Sequence, residues 1–111
     1  MSQKENPPKY ILNVLYNENN EIWVSRRSST LIVMPNLWQT VCGKVEVGES
    51  AKEACIRETL EETGIQISYY RPQYIFNDAV FNCAVYITKL LPNEIPKRTE
   101  PEKMSKWILV S

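Results

Sequence analysis

The chain has 111 residues, 43% of them hydrophobic, with 13 basic and 13 acidic side chains. That length accommodates one domain with a single core. A formal net charge of zero gives no general pull on nucleic acid or anionic membrane, and no apolar run approaches the ~18 residues of a membrane span. The start, MSQKENPPK, is polar and proline-bearing, unlike a signal peptide. Cys42, Cys55 and Cys83 have no metal-ligand spacing and form an odd set, which reads as reduced thiols in a cytoplasmic protein.

Residues 1–8 are expected as a loose arm, and residues 9–111 as one domain. Tyr10–Tyr16 and Glu21–Ser25 are rich in β-formers around Asn17-Glu18-Asn19-Asn20, which predicts a hairpin. Arg26, Arg27 and Ser28-Ser29-Thr30 read as a polar loop, followed by an apolar patch at Leu31–Met34. Trp38–Val41 is expected as a short strand. Ser50 with Glu53 is a capping-box pair that starts a helix, and Gly64 supplies its stop. Ile67–Tyr70 and Tyr74–Phe76 are expected as strands, and Val80–Thr88 alternates clearly. Pro92 to Pro101 is a proline- and charge-rich loop, and Lys106–Val110 a final strand. No internal repeat or low-complexity segment is present.

All three glycines, Gly43, Gly48 and Gly64, lie between Gly43 and Ile65. The same stretch holds Glu46, Glu49, Glu53, Glu58, Glu61 and Glu62, six of the 13 acidic residues. On the helix, Glu58, Glu61 and Glu62 project within an arc of roughly 100°. Ala51 and Ala54 share that side and leave room above it, while Ile56 and Leu60 point nearly the opposite way and are expected to bury. Three carboxylates on one face without an interleaved lysine repel one another. A glycine-framed loop leading into an acid-faced helix is therefore a candidate site for divalent metal and phosphate.

Gly43, five residues, Glu49, seven residues, then Arg57, Glu58, Glu61, Glu62, Gly64 and Ile65 resembles the Nudix box. Thr59 departs from it, standing where an aliphatic residue is usual. The resemblance implies an α/β protein, an α/β/α sandwich around a mixed sheet, that hydrolyses a nucleoside diphosphate linked to another group. It implies that Glu58, Glu61 and Glu62 hold Mg²⁺ or Mn²⁺, with the Gly43 carbonyl as a further ligand. It gives the general base to one of these glutamates, or to Glu49 through a water, without deciding between them, and it has Arg57 orient Glu49 by a charge-assisted hydrogen bond.

Two further departures carry expectations. Many members lead into the box with Pro-Gly-Gly, where this chain has Val41-Cys42-Gly43. Cys42 reads as a small buried thiol or a redox-sensitive position beside the metal. The run Glu100-Pro101-Glu102-Lys103 and then Trp107 resembles nucleotide-sanitising members, in which a further helix covers the sheet. That C-terminal helix is missing from this sequence, which predicts an uncovered apolar face shielded by a homodimer partner or swapped element, or else a shortened chain.

For substrate, Ala79 stands near the position where ADP-ribose hydrolases carry proline, and Val80-Phe81-Asn82 where dinucleoside polyphosphate hydrolases carry tyrosine. The Glu-Pro-Glu-Lys resemblance favours a nucleoside triphosphate, cleaved to monophosphate and pyrophosphate. Trp38, Gln39, Asn36, Phe76, Asn77, Asp78 and Phe81 are candidates for stacking on a base or reading its edge. Arg26, Arg27 and Lys44 are candidates for phosphate oxygens. Trp23 and Trp107 read as core. Two other readings stay open: hydrolysis of capped RNA or a dinucleotide, and a non-catalytic nucleotide- or protein-binding module of the same fold.

Overall fold

The computed structural model describes residues 7–111, so most of the expected arm over residues 1–8 lies outside the described residues. Strand β1, Tyr10–Tyr16, buries Ile11, Asn13 and Leu15 on one face. The Asn17 side chain accepts the backbone N–H groups of Asn19 and Glu21 at 3.0 and 2.9 Å, and Asn20 takes a left-handed φ of 59°. This is the local turn chemistry asparagine favours. It reverses the chain into β2, Ile22–Arg26, as the hairpin signal predicted.

The expected strand Trp38–Val41 is two short strands. β3, Trp38–Gln39, pairs with β2, whereas β4, Val41–Lys44, pairs antiparallel with β1. Between them, the Thr40 hydroxyl donates to the Asn13 carbonyl and holds the chain at the crossing. One edge of β1 thus pairs with β4 along Tyr10–Asn13 and touches β2 only at Tyr16. The sheet splits there, and the cleft between its two arms becomes the mouth of the site.

The helix α1, Ala51–Thr63, has the full capping box at Ser50, and Gly64 closes it in the left-handed conformation with φ of 77°. It crosses from β4 to β5, Gln73–Asp78, and β6, Cys83–Lys89. β6 runs parallel to β1 over its whole length and β5 pairs with it on the outer side. The last strand, β7, Ile108–Val110, pairs with β2, so the sheet of seven strands is mixed. Ile67–Tyr70 is not a strand. Ile67 plugs into the core and the chain then turns, with Arg71 clamped to both oxygens of Glu94. The strand expected from Val80 begins only at Cys83, because Val80 and Phe81 lie in the preceding turn, with Asn82 at φ of 51°.

Helix α1 contacts the sheet with a face other than the expected one. Leu60 is 41% exposed and Ile56 only half-buried, while Ala54, Cys55, Thr59, Glu62 and Thr63 are buried. By helical periodicity these five span one side, with Glu62 near its centre. Small side chains at Ala54, Cys55 and Thr59 let the helix approach the sheet closely. Among the described residues α1 is the one helix, so the opposite sheet face carries none. There Ile22, Phe76, Ile108 and Val110 remain accessible.

Thr59 is explained by what it meets. The Asn13 amide donates to the Thr59 hydroxyl at 3.0 Å, Thr59 donates to the Cys55 carbonyl at 2.7 Å, and Thr88 on β6 donates to the Asn13 side-chain oxygen at 2.9 Å. All three polar side chains are fully buried and mutually satisfied, so they register the helix against β1 and β6. Replacing Thr59 with valine strands the Asn13 amide. Chemical denaturation should show a loss of about 1–3 kcal/mol. In Asn13→Leu/Thr88→Val protein the same change should cost much less, since no buried partner is left behind.

Candidate active site

A cavity of about 350 Å³ opens where the sheet splits. Its walls bring together Glu58, Glu61 and Glu62 from α1, Cys42 from β4, Gln39 from β3 and Arg27 just beyond β2. Leu31, Glu100, Lys103 and Met104 complete it from two loops. Of the residues singled out from sequence, Gly43, Glu49 and Arg57 of the box, and Asn36, Trp38, Lys44, Phe76, Asn77, Asp78 and Phe81, do not line it, and Arg26 lines a neighbouring cavity. Trp38 pairs with Arg26 and shares its side of the β2–β3 ribbon, while Gln39 shares that of Ser25. Lys44 is exposed and contributes only its carbonyl, to Arg57. Asn77 accepts the Tyr74 hydroxyl on β5, across β6 from the cleft, and Phe81 is exposed in its turn.

Glu100, Lys103 and Met104 belong to the wall, although the sequence marked that segment only as a resemblance. No spacing rule links it to the helix. Met104 enters by bridging to Arg27, and Lys103 by accepting the Ser28 N–H on its carbonyl.

The acidic residues are divided between two environments. Arg57 is the hub of one. Its Nε and Nη2 donate to both oxygens of Glu49 at 2.7 and 3.0 Å, and its Nη1 reaches Glu58 at 2.9 Å and Glu61 at 3.2 Å. The bidentate bond holds the Glu49 carboxyl below the usual carboxylate range and raises Arg57 above its own. Glu49 in turn accepts the Glu46 N–H, so the loop leading into the helix is tied to Arg57.

Glu62 is the other environment. It is 7% exposed, and its Oε2 is buried without a hydrogen-bond partner among the described residues. Burial, then the Glu58 carboxyl beside it, push Glu62 up to about 10, against a lowering contribution from the Cys42 N–H. The Cys42 thiol in the same wall is raised to about 12, mainly by burial. Gly43 is required for this packing. A Cβ there would overlap Glu58 Cδ and lie 2.6 Å from Glu58 Cγ.

No three side chains of ligand type converge into a ready-made cluster among the described residues. Glu61 is turned to Arg57 at the rim, and one oxygen of Glu58 is engaged by the same guanidinium. Glu62 and Glu58 nonetheless fit a hard divalent cation: two carboxylates side by side, one with an orphaned buried oxygen, are costly to ionise without one.

The chain matches the family model described as NUDIX domain over residues 7–111, and it belongs to the Nudix family. It is 43% identical over 49 residues to the m7GpppN-mRNA hydrolase NUDT17 of Xenopus laevis, a match covering 44% of this chain and 17% of that protein. It is 38% identical over 61 residues to an isopentenyl-diphosphate Delta-isomerase of Salmonella heidelberg, covering 54% of this chain and 34% of the relative. The chain thus spans about a third or less of the length of these curated relatives. Among solved structures, DR0079 from Deinococcus radiodurans superposes with a TM-score of 0.76 at 23% identity, covering 94% of this chain and 67% of that one, which establishes the shared fold.

Two tests follow from the geometry. Glu62 binds a proton more tightly in the folded chain than in the unfolded one. The stability it contributes is therefore complete below the ordinary value of 4.5 and is lost as pH rises towards about 10. With metal chelated, melting temperature should fall from about pH 5 to pH 9, and fall less in Glu62→Gln protein. Saturating Mg²⁺ or Mn²⁺ should flatten that slope, because the cation takes the proton's place. Second, Gly43→Ala should displace Glu58 and weaken Mn²⁺ binding, measured by calorimetry, by roughly 10- to 100-fold. Its far-ultraviolet circular dichroism should stay unchanged, since the clash is with a side chain.

Proposed function

We propose that this chain hydrolyses the diphosphate linkage of a nucleoside triphosphate or related nucleotide, giving monophosphate and pyrophosphate, with Mg²⁺ or Mn²⁺ held by Glu58 and Glu62. Glu61 at the rim and the Gly43 carbonyl are the further ligands the family resemblance supplies. The observation that carries the reading is Glu62: a buried carboxyl with an orphaned oxygen, beside Glu58, in the wall of a cavity of about 350 Å³. The bound cation would neutralise phosphate charge and lower the pKa of an attacking water.

The chain's own groups do the rest. Arg27 and Lys103 stand in the same wall to meet phosphate oxygens, with Lys103 3.5 Å from Glu100. Arg57 holds Glu49 ionised and aligned while also reaching Glu58, which makes Glu49 a candidate to accept a proton through a water. Leu31 and Met104 give the cavity an apolar side and Gln39 an amide, a combination suited to a nucleobase. The names of the relatives support the common denominator, since a capped mRNA and isopentenyl diphosphate share a diphosphate. The NUDT17 match favours caps as the second reading, against which a net charge of zero offers no grip on a long RNA. The three free thiols support a reducing, cytoplasmic setting.

Substituting Glu62 with glutamine keeps the shape and removes the charge. Phosphate release from nucleoside triphosphates should drop at least ~100-fold. Unchanged turnover of nucleotides, caps and dinucleotides alike would rule out the ligand assignment. Nucleotide binding by the parent protein without any Mg²⁺-stimulated turnover would instead indicate a non-catalytic module.

A further inference from the structure

A second cavity, of about 200 Å³, adjoins the first and shares Arg27 and Met104 with it. Its lining is Arg26, Arg27, Arg98, Ser28, Ser29 and Ser105 with Pro101 and Met104, and contains no acidic residue. Three arginines contribute to the lining of one small space, and like charges held close together repel one another. Arg26, Arg27 and Arg98 take part in none of the ion pairs among the described residues. Their bonded nitrogens go to neutral acceptors: Arg26 Nη2 to the Asn36 side chain at 2.9 Å, Arg27 Nε and Nη2 to the Val33 carbonyl, Arg98 Nε and Nη2 to the Met104 and Pro101 carbonyls. These bonds orient the guanidiniums without cancelling their charge, and leave Nη1 of each unbonded among the described residues.

The floor is firm. Ser28 N–H donates to the Lys103 carbonyl at 2.7 Å, Ser105 N–H to the Arg26 carbonyl at 2.8 Å, and Arg26 N–H to the Ser105 hydroxyl at 2.8 Å. Two segments distant in sequence are thereby stitched into one wall. The Ser29 hydroxyl, in the same lining, has no hydrogen-bond partner among the described residues and is free to donate. We propose that this cavity is a phosphate-binding site distinct from the metal-and-carboxylate cavity, taking a phosphate group on Arg26, Arg98 and Ser29, with Arg27 between the two. The chemistry is that of a preorganised guanidinium fork on phosphate oxygens. The proposal deepens the hydrolase reading and rests on it for the reaction in the neighbouring cavity. The occupant is either a phosphate of the substrate remote from the bond that breaks or the pyrophosphate released.

The test uses pyrophosphate and metal-chelated protein, in which the acidic cavity repels anions. Calorimetric titration of the parent should show saturable binding. Ser29→Asp, which places a carboxylate among the arginines and disturbs none of their bonds, should weaken it about fivefold or more. Arg98→Gln should do the same, and Glu62→Gln should not weaken it. Binding unchanged by Ser29→Asp overturns the proposal, whatever Arg98→Gln does to the loop it anchors. The source is read from hydrolysis. If Ser29→Asp raises KM for a triphosphate more than for the corresponding diphosphate, the group belongs to the substrate. If KM is unchanged and product inhibition by pyrophosphate weakens, the product is the occupant. Absence of Mg²⁺-dependent hydrolysis in the parent would sink the hydrolase reading alone and leave the metal-free anion binding to stand or fall by itself.

Discussion

A carboxyl group near the centre of a helix's buried face must carry a proton or meet a cation, and the arrangement around Glu62 follows from that requirement. Its burial is imposed by packing: Ala54, Cys55 and Thr59 bring α1 close to the sheet, and Glu62 lies on the same side of the helix. Glu58, one turn earlier, is pressed over Gly43, where any side chain on β4 would push it away. Desolvation and a neighbouring carboxyl then act in the same direction on Glu62. Arg57 donates to Glu49, to Glu61 and to one oxygen of Glu58, so its single positive charge offsets part of the negative charge at the rim. The glutamates of one helix are thus divided into a set already paired and a set that calls for an external cation.

The split of the sheet gives this chemistry its room. β1 pairs with β4 at one end and reaches β2 at the other, with Thr40 tethered at the crossing. Arg27 and Gln39 on one arm therefore share a cavity with Cys42 on the other and with Glu58 and Glu62 of α1. The buried triad of Asn13, Thr59 and Thr88 sits below that opening and fixes how high the helix rides. The departure of the box at Thr59 is matched by polar partners on two strands, a local substitution with a local compensation. A net charge of zero conceals two adjoining cavities of different character, one with four glutamates in its lining, the other with three arginines and no acidic residue.

The hairpin at Asn17, the start of α1 at Ser50 and its end at Gly64 were legible because each depends on residues adjacent in sequence. The spacing of Glu58, Glu61 and Glu62 likewise marked the acidic site through helical periodicity, whereas Gly43 and Glu49, which precede the helix, were legible only through the resemblance of the box. The helix face that buries was not legible. Apolar character pointed to Ile56 and Leu60, and close approach to the sheet selected the small and polar side instead. Nor did aromatic character place Trp38 and Phe81 in the cleft: Trp38 shares the side of Arg26, and Phe81 belongs to a turn.

What the sequence by itself determined is short-range: the caps, the turn, the family box and the run of glutamates on one helix. Tertiary structure alone decided that Glu62 is buried and Glu61 is not, and that β3 and β4 part at Thr40. It also decided that residues 98–105 complete both cavities. The physical reason is that desolvation and charge pairing depend on which distant segments close over a side chain, and β1 brings together segments separated by most of the chain.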